Sequence, residues 1–464
     1  MVPRAASQPQ GGELRGAELA GPRRRARFGE ARWPMAKLAP LSFAGLALGL
    51  LGVVSRVEAS PQNVLGFGAR AMGMASTGAA SAEGPDAVYG NPALLSANRV
   101  TQLQLGFEGA VFSLRADGPA VRGQVPASPF RATTIGAVLP LPFGGGLRDR
   151  LTLGLGFVTP TDVVVRARIL YPERVQFPVA DRVQSVAVQV GVGLALGHGF
   201  RLGGGVAALA ALRGSVVVQT DSSGRVGTQV EDTLVASYAP SAGLSWESAS
   251  GRYRVGVAFR GALIGRFNVV IRAENLGSLT IPPLNISGVA QFDPSQVAWE
   301  AARIEGPWRA ALGATYAHWV AYPGPAEATV RCSDAAPPAA ECSAPLPTPP
   351  GYRSVVTPRL GVERRVELAS ATVMALRAGY AFEPTPVPEQ VGRGNAFDMH
   401  RSVVTAGFGV VFGRLPLGID GFAQVHVLHP RDHRKHVVDG APVDGTLTTS
   451  GHVLAGGIAV TARL

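Results

Sequence analysis

The chain of 464 residues contains only two cysteines, and two cysteines alone do not make a metal site. Apolar runs are short: none reaches the roughly 18 residues that a helix needs to cross a bilayer. The sequence has no basic stripe with interleaved aromatic residues, which argues against nucleic acid as a partner. It also has no Gly-x-Ser-x-Gly motif, so an esterase has no support. Any membrane role must therefore come through strands.

The N-terminal region is typical of a secretory signal. An uncharged apolar run at 41–54 follows Lys37 and several arginines and precedes small residues up to Ala59. We therefore expect residues 1–59 to be a signal peptide with an over-extended start, in which Met35 is the true start. Its removal takes away nine Lys/Arg and four Asp/Glu, which lowers the net charge from +11 to +6.

Strict alternation of apolar with small or polar residues begins at Val186 and recurs to the end of the chain. Side chains on a strand point to opposite faces with period two, so one face of each segment is apolar. A soluble sandwich would bury that face against a second sheet, whereas a barrel in lipid turns it outward. About fourteen segments between residues 100 and 464 have this character. The clearest are 101–112, 150–158, 184–197, 253–263, 371–383, 403–412, 417–428 and 451–464.

The connections between these segments alternate between short and long. Short ones are 197–200, 247–252, 366–370 and 413–416. Long ones cover 116–130, 159–183, 264–297, 321–352, 384–400 and 429–448. Outer-membrane barrels have short periplasmic turns and long external loops. The pattern therefore predicts an all-β transmembrane antiparallel barrel of about 14 strands over residues 100–464.

Polar side chains share one face of several strands, for example Gln104 with Glu108 and Arg359 with Glu363. A charge facing lipid costs several kcal/mol at mid-bilayer, so we expect these faces to point into the lumen. There the charges serve either as structural ion pairs or as ligand contacts. Aromatic residues near strand ends are predicted to form the two interfacial girdles, with a position in the core as the alternative for any single one of them. They are Trp246, Tyr253 and Trp308 beside short turns, and Trp319 and Tyr322 beside a long loop.

Residues 63–96, between the signal and the first strand, are rich in glycine and small residues and have no strand pattern. Three short motifs stand out within them: GARAMG at 68–73, DAVY at 86–89 and NPA at 91–93. This segment resembles the start of the FadL/TodX-type outer-membrane transport proteins. Arg377 to Glu389 (RAGYAFEPTPVPE), with Asp398 and Arg401 after it, is similar to a second motif of that family. The stretch 357–364 (TPRLGVER) is a weaker third match, and the matches follow the family's order.

The resemblance implies a fourteen-stranded barrel with residues 60–99 folded into the lumen as a hatch. It also implies passive transport of long-chain fatty acids or other hydrophobic molecules across the outer membrane of a Gram-negative bacterium. The external loops catch the ligand, an apolar pocket holds it, and it leaves sideways through a gap in the wall, with hatch movement linking these stages. No bond chemistry is involved, so we expect neither enzymatic activity nor a cofactor.

Two sets of candidate residues follow from the resemblance. The hatch or gating set is Arg70, Gly73, Asn91, Pro92 and Ala93. The lumen or loop set is Arg377, Glu383, Pro386, Pro388, Asp398 and Arg401. A purely structural role of the hatch motif is an equal alternative. Inward-facing apolar residues such as Phe422 are candidates to line the pocket.

Cys332 and Cys342 lie in the proline-rich loop 321–352, and an exported chain enters an oxidising space. We therefore expect a disulfide between them. Arg431, Arg434 and Lys435 are interspersed among the histidines at 426–436 and would repel a metal ion, so we expect this loop to meet lipopolysaccharide phosphates instead. The expected partners are a hydrophobic ligand, outer-membrane lipid and the barrel-assembly machinery, and we expect a monomer.

Three alternatives remain at this stage. An outer-membrane scaffold or secretion partner of the same fold would need an apolar external patch and a sealed lumen. A membrane-embedded lipid enzyme would need a Ser, His and acidic or amide constellation, and no convincing one is found. A soluble sandwich does not explain the loop asymmetry together with the signal.

Overall fold

We describe a computed structural model of the chain. It describes residues 65–118, 121–161, 175–181, 186–220, 226–274, 284–322, 324, 326–330, 350–368, 371–391, 394–438 and 441–464. The expected signal peptide and the expected disulfide between Cys332 and Cys342 lie outside these residues.

Fourteen strands of the described chain form a closed antiparallel ring, as the alternation predicted. In ring order they are β1 (Gln102–Asp117), β3 (Phe130–Pro140), β4 (Leu151–Pro160), β5 (Ala187–Gly197), β6 (Phe200–Thr220), β7 (Val226–Glu247), β8 (Tyr253–Arg260), β11 (Gln296–Glu305), β12 (Trp308–Ala317), β14 (Val355–Glu367), β15 (Val373–Glu383), β16 (Arg401–Val411), β17 (Leu417–Val438) and β18 (Ala441–Arg463). The first strand pairs with the last, from Gln102 opposite Arg463 to Asp117 opposite Thr448. No sheet edge is therefore left within the ring.

Four further strands extend the ring on the side away from the short turns. They are β2 (Arg122–Val125), β9 (Leu263–Glu274), β10 (Leu284–Asp293) and β13 (Ala326–Val330). The predicted long loop 429–448 is wrong, because β17 runs on to Val438 and β18 begins at Ala441. A strand needs only about 9–11 residues to cross a bilayer, so these 22- and 23-residue strands continue well beyond it.

The two faces of the wall differ as a lipid-embedded barrel requires. On β1, Leu105 and Phe107 are 49% and 56% exposed, whereas Gln104 and Glu108 are each 8% exposed. Trp246, Tyr253 and Trp308 also face outward beside the short turns, as predicted for the girdle at the periplasmic interface. The outer girdle is made of Tyr238, Tyr316 and Tyr380, whose side chains are exposed.

Trp319 was expected in the outer girdle, but it is buried inside the barrel, 6% exposed. Its indole stacks on Phe292, with ring centroids 4.7 Å apart. Tyr322 also contacts Phe292, with centroids at 4.7 Å. Proximity to a strand end does not distinguish an aromatic side chain that faces lipid from one that folds back into the lumen.

Residues 65–97 lie inside the ring and are almost all buried. They form short helices: α1 (Ala69–Met72) and α2 (Ala87–Gly90), and the 3-10 turns Gly84–Asp86 and Pro92–Ala97. The remaining helices are α3 (Pro178–Asp181) and the 3-10 turns Gly145–Leu147 and Trp319–Ala321. Within the described chain, no helix has the length and apolar character to cross a membrane.

The segment 65–97, called the hatch below, sits directly against the backbone of the wall. Glycines occupy many inward positions, and an added Cβ there would lie within 3.0 Å of a hatch atom. These positions are Gly136, Gly154, Gly156, Gly193, Gly203, Gly243, Gly256, Gly361 and Gly379. The high glycine content of the strands therefore makes room for the hatch rather than for an open channel.

Candidate functional site

A buried ion-pair network joins the hatch to the wall. Glu363 of β14 has no exposed surface. Its carboxylate accepts hydrogen bonds from Arg70 Nε of the hatch at 3.0 Å, Arg365 Nε at 2.9 Å and Arg377 Nε at 2.8 Å. Arg377 also reaches Asp420 at 2.6 Å. Two candidate residues, Arg70 and Arg377, thus meet on one carboxylate, which belongs to the weaker third motif at 357–364.

Glu83 of the hatch forms a second anchor close to the first. Arg365 Nη2 donates to its carboxylate at 2.7 Å, and Arg309 of β12 donates to it as well. Burial alone would raise the pKa of Glu83, but Arg70, Arg309 and Arg365 hold it well below its usual range. This side of the hatch is therefore charged, and ion pairs bind it to β12 and β14 of the wall.

Asp86 of the hatch has the opposite character. It is buried, and its Oδ2 accepts the backbone N–H of Ala71 at 3.1 Å. Burial raises the pKa of Asp86 to about 7, although the Ala71 N–H and Arg70 act in the opposite direction. The hatch therefore contains a carboxyl group that titrates near neutrality.

The Asn91-Pro92-Ala93 motif binds the hatch to β7 and β8. Asn91 has no exposed surface, and its Oδ1 accepts the Ala93 N–H at 3.0 Å, which caps the turn that Pro92 begins. Its Nδ2 donates to the carbonyls of Ala79, Leu244 and Val257 at 2.6, 3.1 and 3.4 Å. The motif is thus both a turn within the hatch and a clamp on two adjacent wall strands.

Gly73, the remaining hatch candidate, makes a close backbone approach on the opposite side of the lumen. A Cβ at Gly73 would lie 3.0 Å from the Cα of Gly407 on β16. The neighbouring Thr405 accepts the Ala75 N–H and donates to the Gly73 carbonyl, each at 3.0 Å. A side chain at this position would press on the backbone of β16, which favours glycine here.

The lumen and loop candidates do not form one site. Arg377 belongs to the Glu363 network, whereas Glu383 pairs with Arg359 at 3.2 Å and with Arg401. Arg359 also donates to the hatch carbonyl of Ala75 at 2.9 Å. The pairs predicted on the inward faces are therefore present, and they bind wall to wall and wall to hatch.

Pro386, Pro388 and Asp398 shape the loop after β15. Asp398 accepts a hydrogen bond from Thr385 Oγ1 at 2.6 Å, and the Pro386 carbonyl accepts the Arg353 N–H at 2.9 Å. The Pro388 carbonyl accepts a hydrogen bond from Gln390 at 3.2 Å. These contacts fold the loop 384–400 onto the outer end of the barrel.

Aromatic side chains gather on the outer side of the hatch. Phe292, Trp319, Tyr322 and Tyr352 contact one another with centroids 4.4 to 6.2 Å apart, and Leu263 and Val387 pack around them. A cavity of about 60 Å³ beside Trp319 connects this cluster to Arg359 and Glu383. We call Phe292, Trp319, Tyr322 and Tyr352 the aromatic cluster.

Cavities also lie against the two sides of the hatch. One of about 50 Å³ lies between the hatch and β8, β11 and β14 and is lined by Tyr89, Arg260 and Glu383. Another of about 370 Å³, near the short turns, is lined by Glu83, Arg365 and Asp420 and is strongly charged. Among the described residues, no three His, Cys, Asp or Glu side chains are grouped to hold a metal ion.

Sequence reasoning missed Arg260, the arginine that lines the cavity beside Tyr89. Its guanidinium lies over the Tyr89 ring at 4.2 Å, and it donates to the Tyr89 carbonyl at 2.9 Å and to Gln296 at 2.8 Å. Both acceptors are uncharged, unlike the carboxylates bound by Arg70, Arg359 and Arg377. The inward position of Arg260 in the segment 253–263 was the available signal, but alternation does not show what an arginine binds.

The family model described as "Outer membrane protein transport protein (OMPP1/FadL/TodX)" matches residues 51–461. A comparison with curated protein sequences finds no match.

Several solved structures are similar in fold. A FadL homologue of Pseudomonas aeruginosa matches with a TM-score of 0.59 at 16% identity, covering 85% of this chain and 98% of that one. The toluene transporter TodX of P. putida matches with 0.53 at 14%, covering 86% and 99%. The toluene transporter TbuX of Ralstonia pickettii matches with 0.51 at 15%, covering 87% and 99%. At these identities the likeness concerns the fold.

Proposed function

Because this chain belongs to the OMPP1/FadL/TodX family of outer-membrane transport proteins, we propose that it moves hydrophobic small molecules passively across the outer membrane of a Gram-negative bacterium. The observation that carries the proposal is the contrast across the hatch. The aromatic cluster lies on its outer side, while the Glu83 and Glu363 networks lie toward the short turns. An apolar molecule thus meets an apolar site first and a charged barrier next.

The charged barrier favours sideways release over passage along the barrel axis. Moving between hatch and wall at Glu363 would separate this fully buried carboxylate from Arg70 of the hatch, and Arg365 of the wall from Glu83 of the hatch. Breaking a buried ion pair costs about 3–5 kcal/mol. Leaving through the wall instead places the ligand in acyl chains, where each buried CH₂ gains about 0.8 kcal/mol. We propose that the hatch forces the ligand into the bilayer.

We further propose that the ligand class includes long-chain fatty acids. The aromatic cluster suits any apolar chain or ring, so it does not discriminate between a fatty acid and toluene. Arg260 adds a discriminating group, because its acceptors among the described residues, the Tyr89 carbonyl and the Gln296 side chain, are uncharged and it lines a cavity. A guanidinium in this state is available to form charge-assisted hydrogen bonds to a ligand carboxylate.

The test is binding and uptake of labelled oleate and labelled toluene by liposomes that contain the purified protein. We expect Trp319→Ala to weaken binding of both ligands, since it removes a ring from the aromatic cluster. Arg260→Gln should weaken oleate binding by roughly 10- to 100-fold, the value of a charged hydrogen bond of about 1.5–3 kcal/mol, and leave toluene unchanged.

Trp308→Ala is the matched control, because Trp308 is an equally large side chain that faces lipid. It should leave both affinities unchanged. If a folded wild-type barrel neither binds nor moves either ligand, transport is refuted and the scaffold or secretion-partner function is favoured. The expectations of a monomer, of contact with lipopolysaccharide and of insertion by the barrel-assembly machinery remain part of the proposal.

A further inference from the structure

The ladder between β7 and β8 covers only one end of β7. The two strands pair only from Glu247 opposite Arg254 to Ser241 opposite Arg260. Beyond that point β7 continues to Val226 paired with β6. The chain after β8 breaks at 261–262 and enters β9, which pairs with β10 and lies parallel to β6. We call residues 239–241 and 260–263 the seam.

A single backbone hydrogen bond closes the ladder at the seam. Gly261 N donates to the Pro240 carbonyl at 2.7 Å. Proline has no N–H, so the reciprocal bond of an antiparallel pair is impossible here. Within sheets, proline is confined to edges and bulges for this reason. The sequence therefore places a weak point in the wall at Pro240.

The seam lies at the depth of the membrane. The seven paired residues below it span roughly 23 Å along the strand, which a tilt of about 40° reduces to roughly 18 Å of height. The apolar band of such barrels is about 25 Å tall. Tyr238 of the outer girdle is two residues beyond Pro240 and faces outward. An opening at the seam would therefore lead into the outer part of the bilayer, just inside the girdle.

The hatch grips both strands of the seam from within. Asn91 Nδ2 donates to the Leu244 carbonyl of β7 and to the Val257 carbonyl of β8. Arg260, at the last pair of the ladder, donates to the Tyr89 carbonyl and covers the Tyr89 ring. Any displacement of residues 89–91 must therefore act on this ladder.

The Arg260–Tyr89 contact also separates two spaces. Both residues line the cavity of about 50 Å³ above the hatch and a second cavity of about 30 Å³ behind the seam. The second cavity is lined further by small side chains, among them Ala187, Ala207 and Ala239, and it reaches Pro240 and Gly261. The Arg260–Tyr89 contact thus borders both cavities, and the second cavity reaches the Pro240–Gly261 bond of the wall.

We propose that ligand leaves the barrel through the seam between β7 and β8, with the Arg260–Tyr89 contact as the gate. The proposal rests on the proposed transport function and assigns its exit to one pair of strands. A ligand carboxylate that binds Arg260 competes with the Tyr89 carbonyl for the same guanidinium. Binding therefore loosens the contact that holds the seam closed, which couples arrival of the ligand to opening of the wall.

The test is a reversible cross-link. Pro240→Cys with Gly261→Cys places two thiols on the lipid-facing side, where the 2.7 Å backbone bond holds the residues at a distance that suits a disulfide. The double change also removes the proline ring, whose Cδ a Cβ at residue 261 would otherwise approach to 2.7 Å. Ala378→Cys with Ala406→Cys is the matched control, because these residues are paired directly on β15 and β16 and also face lipid.

Oleate uptake into liposomes is measured for each variant oxidised and then reduced, with the wild type treated alike to account for Cys332 and Cys342. We expect oxidation of the seam variant to reduce uptake to the level of protein-free liposomes, and reduction to restore it. Oleate binding in detergent should persist in both states, which distinguishes a closed exit from a failure of the proposed function. Unchanged uptake in the oxidised seam variant would overturn the proposal, and so would equal loss in the oxidised control.

Discussion

The Glu363→Gln variant offers the most direct test of how the hatch is held. Glutamine has nearly the same shape as glutamate, so packing is preserved while the charge is removed. The carboxylate now accepts hydrogen bonds from Arg70, Arg365 and Arg377 at 2.8 to 3.0 Å and has no contact with solvent. The amide keeps one oxygen and turns an NH₂ group toward the guanidinium groups. At least one arginine therefore loses its acceptor.

The size of the effect follows from these contacts. A hydrogen bond to a charged group contributes about 1.5–3 kcal/mol, and breaking a buried ion pair costs about 3–5 kcal/mol. We therefore expect the free energy of unfolding to fall by about 3–5 kcal/mol. Because Arg70 belongs to the hatch and the other two arginines to the wall, the loss should be concentrated at the hatch. The barrel itself should stay closed.

Urea titration in lipid vesicles measures the unfolding free energy, and ion conductance in planar bilayers measures whether the hatch still seals the lumen. We expect lower stability together with a new conductance. Glu305→Gln is the control, since Glu305 pairs with Arg303 on the exposed surface of the same barrel and should change neither quantity. A Glu363→Gln protein as stable and as tightly sealed as the wild type would show that this network does not anchor the hatch.

Two further predictions concern the hatch. The pKa of Asp86, raised to about 7 from an ordinary 3.8, means that the folded protein keeps a proton that the unfolded chain releases, so this group lowers stability as the pH rises from about 4 to 7. Asp86→Asn should remove that dependence, and its stability relative to the wild type, measured by urea titration at pH 4, 5.5, 7 and 8, should grow up to about pH 7; a constant difference would contradict the assignment. Asn91→Ala leaves the Ala93 N–H and the carbonyls of β7 and β8 without their side-chain partner, so we expect a loss of about 2–4 kcal/mol in unfolding free energy and altered oleate uptake in a barrel that keeps its heat-modifiable mobility. Unchanged uptake would make the motif purely structural.

The wall was readable from the sequence because lipid imposes a sharp contrast between the two faces of each strand. In a lipid environment Leu105 and Glu108 must point to opposite faces of their strand, whichever strands pair with it. That contrast ends where a strand leaves the bilayer. The sequence pattern therefore predicts a loop at Arg431, His433 and Lys435, whereas these residues continue β17. In water, a strand needs no apolar face toward its surroundings.

The site was readable only in part. The motifs indicated Arg70 and Arg377, but the carboxylate on which they meet is 293 residues from Arg70, and no local pattern encodes such a pairing. Arg260 lies in a predicted strand, but the strand pattern does not indicate that the acceptors of its hydrogen bonds are uncharged. Trp319 had the neighbourhood of a girdle residue but folds into the lumen. The position and partners of these three side chains depend on contacts between residues distant in sequence, which the periodicity of a single strand does not show.

The glycine-faced inner wall has a mechanical consequence. Two surfaces that interlock through side-chain knobs must be repacked before one moves past the other. Here the wall presents bare backbone to the hatch at nine glycines, and the hatch is held by discrete polar contacts of Arg70, Asn91 and Arg359 together with apolar packing on the wall. None of the described hatch residues belongs to a strand of the barrel, so a displacement of the hatch would break side-chain contacts and leave the backbone pairing of the surrounding cylinder intact.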